Sequence, residues 1–308
     1  MAYQIGTVDN SAGLAHYAML EAIKLFAESL PAGQGWQVLR YETVAENREL
    51  ILKGPGLSGD DEIFIGFRTY QSVSADYYNL LVGVFTGYVP GNTFDQQPGA
   101  ALCGVPAHNQ RIEYWMVGNG QRIAFGLKVG TPVYTHGYAG KFLPYAAPGE
   151  YRAPLICAGM LDGAAPTRYS DTVMSFPYRG TRANMRMRSN MGSWLQPDCW
   201  PYVNTFLCGG ANATQTRPTG PYYYPQRIEL SDASNLYGTL DGVVYIPGFD
   251  NATENVLQIG GDFAVSHAGK TLAQIVEEIR ADANGRAFVV LQDVARTGFN
   301  DYIAMEMT

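Results

Sequence analysis

The chain has 308 residues, 46% hydrophobic and only 16% charged, so it can bury a large core and is not disordered. Its formal net charge of -7 and pI near 5.1 argue against broad attraction to nucleic acid. Low charge density with 21 Tyr and 13 Phe leaves aromatic surface for a partner to cover.

The first expected element is a helix. "DNSAG" offers capping groups, and Met19, Ile23, Phe26 and Leu30 recur at helical spacing until Pro31, Gly33 and Gly35. His16 and Tyr17, in its first turns, read as packing or surface residues. "WQVLRY" (36–41) and "RELILKG" (48–54) form a hairpin pattern, and "EIFIGFRTYQ" and "YYNLLVGVFTGYV" read as two further strands. Ile63, Ile65 and Phe67 alternate with Phe64, Gly66 and Arg68, giving one apolar face. The intervening "GPGLSGDD" lacks the Gly-Lys-Ser/Thr of a phosphate loop and reads as a connection between strands.

"RIEYWMV" and "QRIAFGLKV" are strand-like and flank Asn119-Gly120, a dipeptide that tolerates the positive φ of a tight hairpin turn. Gly118, Gly120 and Gly126 miss the G-x-G-x-x-G spacing, and a strand stands where a dinucleotide site needs a helix. No cofactor is expected there.

From Gly137 to Tyr245 the periodicity weakens, and "GYAGKFLPYAAPGEYRAPLICAGM" reads as extended segments lying over a surface. "RGTRANMRMRSN" holds Arg179, Arg182, Arg186 and Arg188; Met185 and Met187 alternate with the last two, which suits a strand with one basic face. That face meets a polyanion or acidic partner, or, more ordinarily, the chain's own excess carboxylates. "TGPYYYPQR" presents Tyr222, Tyr223 and Tyr224 on a polyproline-like segment of the kind found where chains pack. These four arginines and three tyrosines are the candidate interaction surface.

Strand-like runs follow at Gly242–Ile246 and Asn255–Ile259. "KTLAQIVEEIRADANGR" is an amphipathic helix pattern, with Leu272, Ile275, Val276 and Ile279 on one face. "RAFVVLQDV" and "DYIAMEM" close the chain as strands. The pattern therefore predicts an α+β fold, predominantly antiparallel β, with an N-terminal and a C-terminal helix packed on sheet and a loop-rich β middle. Residues 1–90 with 240–308 are expected to form one α+β assembly domain, and 91–239 an inserted β-rich region.

Catalytic signals are absent at the level of motifs. Cys103, Cys157, Cys199 and Cys208 form no C-x-x-C pair, and His16, His108, His136 and His267 form no H-E-x-x-H, so no metal site is expected. Reduced, buried thiols are the default, with a Cys199–Cys208 bridge as the alternative on oxidation. Ser193 lacks the second glycine of a nucleophile elbow. Asp60-Asp61, Glu277-Glu278 and Asp162 with Asp171 fall in turns or on a helix surface, not across a sugar-lined groove. No run is long and apolar enough for a membrane-spanning helix, and "MAYQIGTVDNSAG" lacks a signal peptide's basic start. The sequons at Asn212 and Asn251 then carry no expectation of glycosylation.

"VPAHNQRIEYWMVGNGQRIAFGLKVGTPVYTHGYAGKFLPYAAPGEYRAPLICAG" (Val105–Gly159) resembles a segment of virion structural proteins of tailed bacteriophages and prophages. There a Tyr-Trp hairpin precedes a tyrosine-rich strand and a "LPYA-P-x-x-Y" run. "YIPGFDNATENVLQIGGDFAV" with "LQDVARTGFNDYIAMEM" is similar to the closing segment of the same proteins. Arg152 stands where that pattern has proline, and the 270–283 helix pattern looks like an insertion. The resemblance implies a non-enzymatic neck or tail component, assembled in the host cytoplasm and resident in the virion. A likeness in plan to tail terminators implies a homo-oligomeric ring with six-fold symmetry, contacting neighbouring tail, neck or sheath proteins and touching DNA only in its lumen. The alternative is a carbohydrate-binding tail or baseplate protein using Tyr222–Tyr224 and the Trp194–Trp200 region, and behind it a glycan hydrolase.

Overall fold

The computed structural model describes residues 2–129, 134–163, 178, 180–181, 184–201, 226–246, 256–258, 264–266, 288–295 and 298–307. A strand, not a helix, comes first: β1 (Ala2–Val8) pairs antiparallel with the distant segment around Trp115. Its partner lies far along the chain, so nothing local in "AYQIGTV" marks it. The expected helix follows as α1 (Ala15–Glu28), and Met19, Ile23, Phe26 and Leu30 are all buried as their spacing requires. Its cap differs from expectation. No side chain of the N-cap residue Leu14 serves, and Asn109 Oδ1 accepts from the Ala15 amide at 3.1 Å.

The next five strands form an antiparallel meander: β2 (Gln37–Glu42), β3 (Glu49–Gly54), β4 (Ile63–Ser72), β5 (Tyr77–Phe85) and β6 (Ala101–Ala107). Then come β7 (Ile112–Asn119), β8 (Arg122–Lys128) and β9 (Tyr134–Lys141), short pieces β10 (Leu143–Pro144), β11 (Leu155–Ala158) and β12 (Leu161–Asp162), and β13 (Gly180–Thr181). The remainder is β14 (Met185–Arg188), β15 (Trp194–Leu195), β16 (Asp198–Pro201), β17 (Gln226–Ser231), β18 (Leu236–Ile246), β19 (Val256–Gln258), β20 (Ala264–Ser266), β21 (Phe288–Ala295) and β22 (Gly298–Glu306).

Three sheets carry most of these strands. The meander with β12 makes an N-terminal sheet, β1-β7-β8-β9-β11-β14-β15 a central sheet, and β13-β16-β17-β18-β22-β21 a C-terminal sheet, with β10 pairing on β18. Every pairing is antiparallel, and α1 is the one α-helix among the described residues, so the fold is β-rich as expected. The helix pattern at 270–283 lies outside the described residues.

The middle strands of the central sheet are buried on both faces. Ile123, Phe125 and Leu127 of β8 join α1, Phe67 and Val82 in a core shared with the N-terminal sheet. Val117, Ala124, Tyr138 and Ile156 face a second core with Leu230, Val243, Leu291 and Met305 of the C-terminal sheet. A strand apolar on both faces loses its period-two signature. That is why Gly137–Lys141, expected as the start of a surface segment, instead belongs to β9, an interior strand with every residue but Lys141 buried. Strand pairing also runs across the division expected at residue 90, since β5 pairs with β6 and β1 with β7. The Phe125 ring lies 6.1 Å from Phe67 across the first core and is fully buried. Phe125→Ala should therefore lower stability by about 3–5 kcal/mol in urea unfolding. Val44→Ala, at a 93% exposed turn residue, should stay within about 0.5 kcal/mol.

Candidate functional site

The β7–β8 hairpin turns where the Asn119-Gly120 signal lies, but its chemistry differs from expectation. Asn119 pairs with Arg122, so the turn residues are Gly120 and Gln121, and none of these takes a positive φ. The Asn119 side chain closes the turn instead: its Oδ1 accepts from the amides of Gln121 at 2.9 Å and Arg122 at 3.2 Å. Gly120 is required by close approach, because a Cβ there would strike the Gly56 carbonyl. The Gly56 amide donates to Gly120 O at 2.8 Å, so that amide of "GPGLSG" is committed to the hairpin and not offered to an anion.

Beneath this turn lies a buried charge pair. Arg122 is fully buried, and its Nε donates to Asp241 Oδ2 at 3.1 Å from the central sheet to the C-terminal sheet. Asn119 Nδ2 at 3.0 Å and Gln121 Nε2 at 2.9 Å donate to the same oxygen. Burial alone would raise the Asp241 carboxyl; the Arg122 charge and these hydrogen bonds outweigh it and hold the carboxyl below its ordinary value. Gly242, at φ +68°, leaves the space the guanidinium occupies, and a Cβ there would collide with Nη2. A charged residue within an apolar strand was a legible signal for Arg122, but its partner lies 119 residues away.

Outside the turn opens a cleft of about 510 Å³. Leu57, Ser58 and Asp61 of the β3–β4 loop form one wall, and Leu143, Pro144, Pro148, Tyr151 and Arg152 the other. Gln121 and Lys141 also line it, and Lys141 Nζ meets Asp61 Oδ2 at 2.7 Å. Leu57 at 59% and Leu143 at 39% exposure make its rim apolar, and Arg152 stands exposed beside them. Among the described residues, no histidine or cysteine lines the cleft, and Lys141 there is engaged by Asp61. Its described lining combines apolar side chains with the Lys141–Asp61 ion pair and the exposed Arg152.

Other residues singled out in the sequence fall in different places. Arg186 pairs with Asp162 at 2.6 Å, a carboxylate of its own chain, while Met185 and Met187 are buried on the opposite face of β14. Arg188 shares the Arg186 side of β14, and its carbonyl accepts from the Tyr151 hydroxyl. The structure thus brings two of the candidate arginines onto one strand face; Arg179, Arg182, Tyr222, Tyr223 and Tyr224 lie outside the described residues. His16 is buried on α1 with Nε2 2.8 Å from Gln71 Oε1, and burial lowers its pKa to about 4. His136 is buried between Met305 Sδ, at 3.2 Å, and the Tyr178 hydroxyl, and burial then the Arg122 charge lower it to about 3. Cys103, Cys157 and Cys199 are buried thiols, and burial pushes the Cys103 thiol well up, the opposite of an activated nucleophile. Cys208 lies outside the described residues. Among the described residues no three metal-ligating side chains converge.

No family model matches the chain, and no curated protein sequence matches it.

Asp241→Ala leaves a guanidinium buried without its counter-charge and should lower stability by about 3–5 kcal/mol, read by urea unfolding at pH 7. Gln121→Ala, which removes one of several donors, should cost about 1 kcal/mol in the same assay. The buried histidines set a pH response. Their folded pKa values lie below the ordinary 6.5, so the unfolded chain takes up protons first as pH falls. Their stabilising contribution is complete above pH 6.5 and is lost as pH drops toward 4 for His16 and 3 for His136. His16→Gln should flatten the stability curve between pH 6.5 and 4, measured by urea midpoints across that range.

Proposed function

We propose that this chain is a structural subunit of a tailed-phage particle, a neck or tail component that works by assembling with copies of itself and with neighbouring tail, neck or sheath proteins. The observation that carries the reading is where the resemblance falls. Val105–Gly159 supplies β7, β8, β9 and β11, the middle of the central sheet, together with one wall of the cleft. A rigid three-layer β body with an apolar-rimmed cleft suits a subunit that holds extended arms of its neighbours. The mechanism is then mechanical: packed sheets fix the shape, and loops and sheet edges make the contacts.

A homo-oligomeric ring, six-fold by the resemblance, is the arrangement this reading favours, in the virion and assembled in the host cytoplasm. The glycan-binding alternative gains nothing specific, because Trp194 is half-buried against the first core and not presented as a platform. Quantitative mass spectrometry of purified particles should find the chain at the abundance of neighbouring tail and neck proteins. Its absence from particles would reject the reading.

A further inference from the structure

The edges of the sheets are closed in different ways. β2 carries Arg40 and Glu42 and a register shift against β3; β12, β13 and β15 each span two residues. β21 carries Asp293 and a register shift against β22. Charges, bulges and shortness are the usual devices that stop a free edge from pairing with another chain.

β1 has none of them. Its seven residues include no charge and no proline, and it pairs with β7 in unbroken register from Ala2–Gly118 to Val8–Ile112. Its other edge meets no strand among the described residues. Tyr3 is 49% and Ile5 55% exposed. Ile5 stands opposite the half-buried Trp115, whose ring lies 6.2 Å from Tyr134, so the exposed residues of β1 extend an aromatic stripe.

We propose that β1 of one copy pairs antiparallel with β1 of a second copy, joining two central sheets into one continuous sheet across a two-fold axis. The strand is complementary to itself. Centred on Ile5, the pairing sets Ile5 against Ile5 of the partner subunit and Tyr3 against the partner subunit's Thr7. No like charges are opposed at this contact, although the chain carries a net charge of -7. The contact is isologous and makes pairs; closing a ring needs a second, heterologous surface. The inference deepens the assembly reading and rests on it for its setting, while its geometry is tested separately.

The test uses the full chain in sedimentation velocity over a micromolar concentration series, with thermal melting as the control for folding. Wild type should associate reversibly, and Ile5→Lys, which sets two ammonium groups face to face, should weaken association by about tenfold or more. At concentrations where both are monomeric, its melting should match wild type. A short bis-maleimide should link Ile5→Cys chains to one another above the wild-type background. Thr7→Cys alone should not link, but mixed with Tyr3→Cys chains it should. A monomeric wild type, association insensitive to Ile5→Lys, or self-linking of Thr7→Cys equal to that of Ile5→Cys would overturn the β1 contact. Chains found in virions yet insensitive to Ile5→Lys would overturn this contact alone. Linking through β1 by chains absent from virions would overturn the assembly reading and leave the contact standing.

Discussion

Asp241 reaches from the C-terminal sheet to the guanidinium of Arg122 in the central sheet, and the arginine is sealed from water. Taking two charges out of water is expensive, and only close geometry with further hydrogen bonds offsets it. Here Asn119 and Gln121 supply those bonds, and both belong to the turn that the pair underlies. The same turn receives the Gly56 amide from the N-terminal sheet and the Trp36 indole N–H, at 2.9 Å on Asn119 O. The Lys141 amide donates to Gln121 O at 2.9 Å, tying in β9. One hairpin tip thus fastens all three layers, and its small residues are set by what passes over them.

The functional surfaces follow from that arrangement. With both faces of the central sheet's middle strands covered, the middle of the molecule has little surface left to offer a partner. Among the described residues, the margins offer the cleft beside the hairpin tip, the outer edge of β1, and the exposed side of β14 where Arg186 already has Asp162. Two other buried groups are held uncharged, His136 against Tyr178 and Cys103 against Cys157 Sγ at 3.8 Å. They add to packing and, through His136, to pH sensitivity.

Local pattern revealed much of the β architecture. The β2–β3 and β7–β8 hairpins, the apolar face of β4 and the buried side of α1 all follow from spacing alone. What escaped had causes at long range. β1 is a strand because β7 is beside it, and α1 is capped by Asn109 and not by the nearby "DNSAG". β9 hid because burial on both faces erases alternation. The Asn119-Gly120 signal found the turn but misjudged it, since Asn119 acts through its side chain and Gly120 through the room it leaves. The cleft was invisible for the same reason: its walls come from two loops that meet only in the folded chain.

The cap of α1 by Asn109 bears on the order of events during synthesis. The acceptor for the first helical amide is translated 94 residues after the amide itself, and the strand that pairs with β1 follows it. As the chain leaves the ribosome, its first two elements wait without their partners while the whole N-terminal meander emerges. That meander pairs neighbour with neighbour and can zip as it appears. β1 and α1 are therefore made well before the partners that lock them in place. Until β7 arrives, the uncharged β1 lacks the strand that covers one of its edges, the condition under which a strand pairs with another chain.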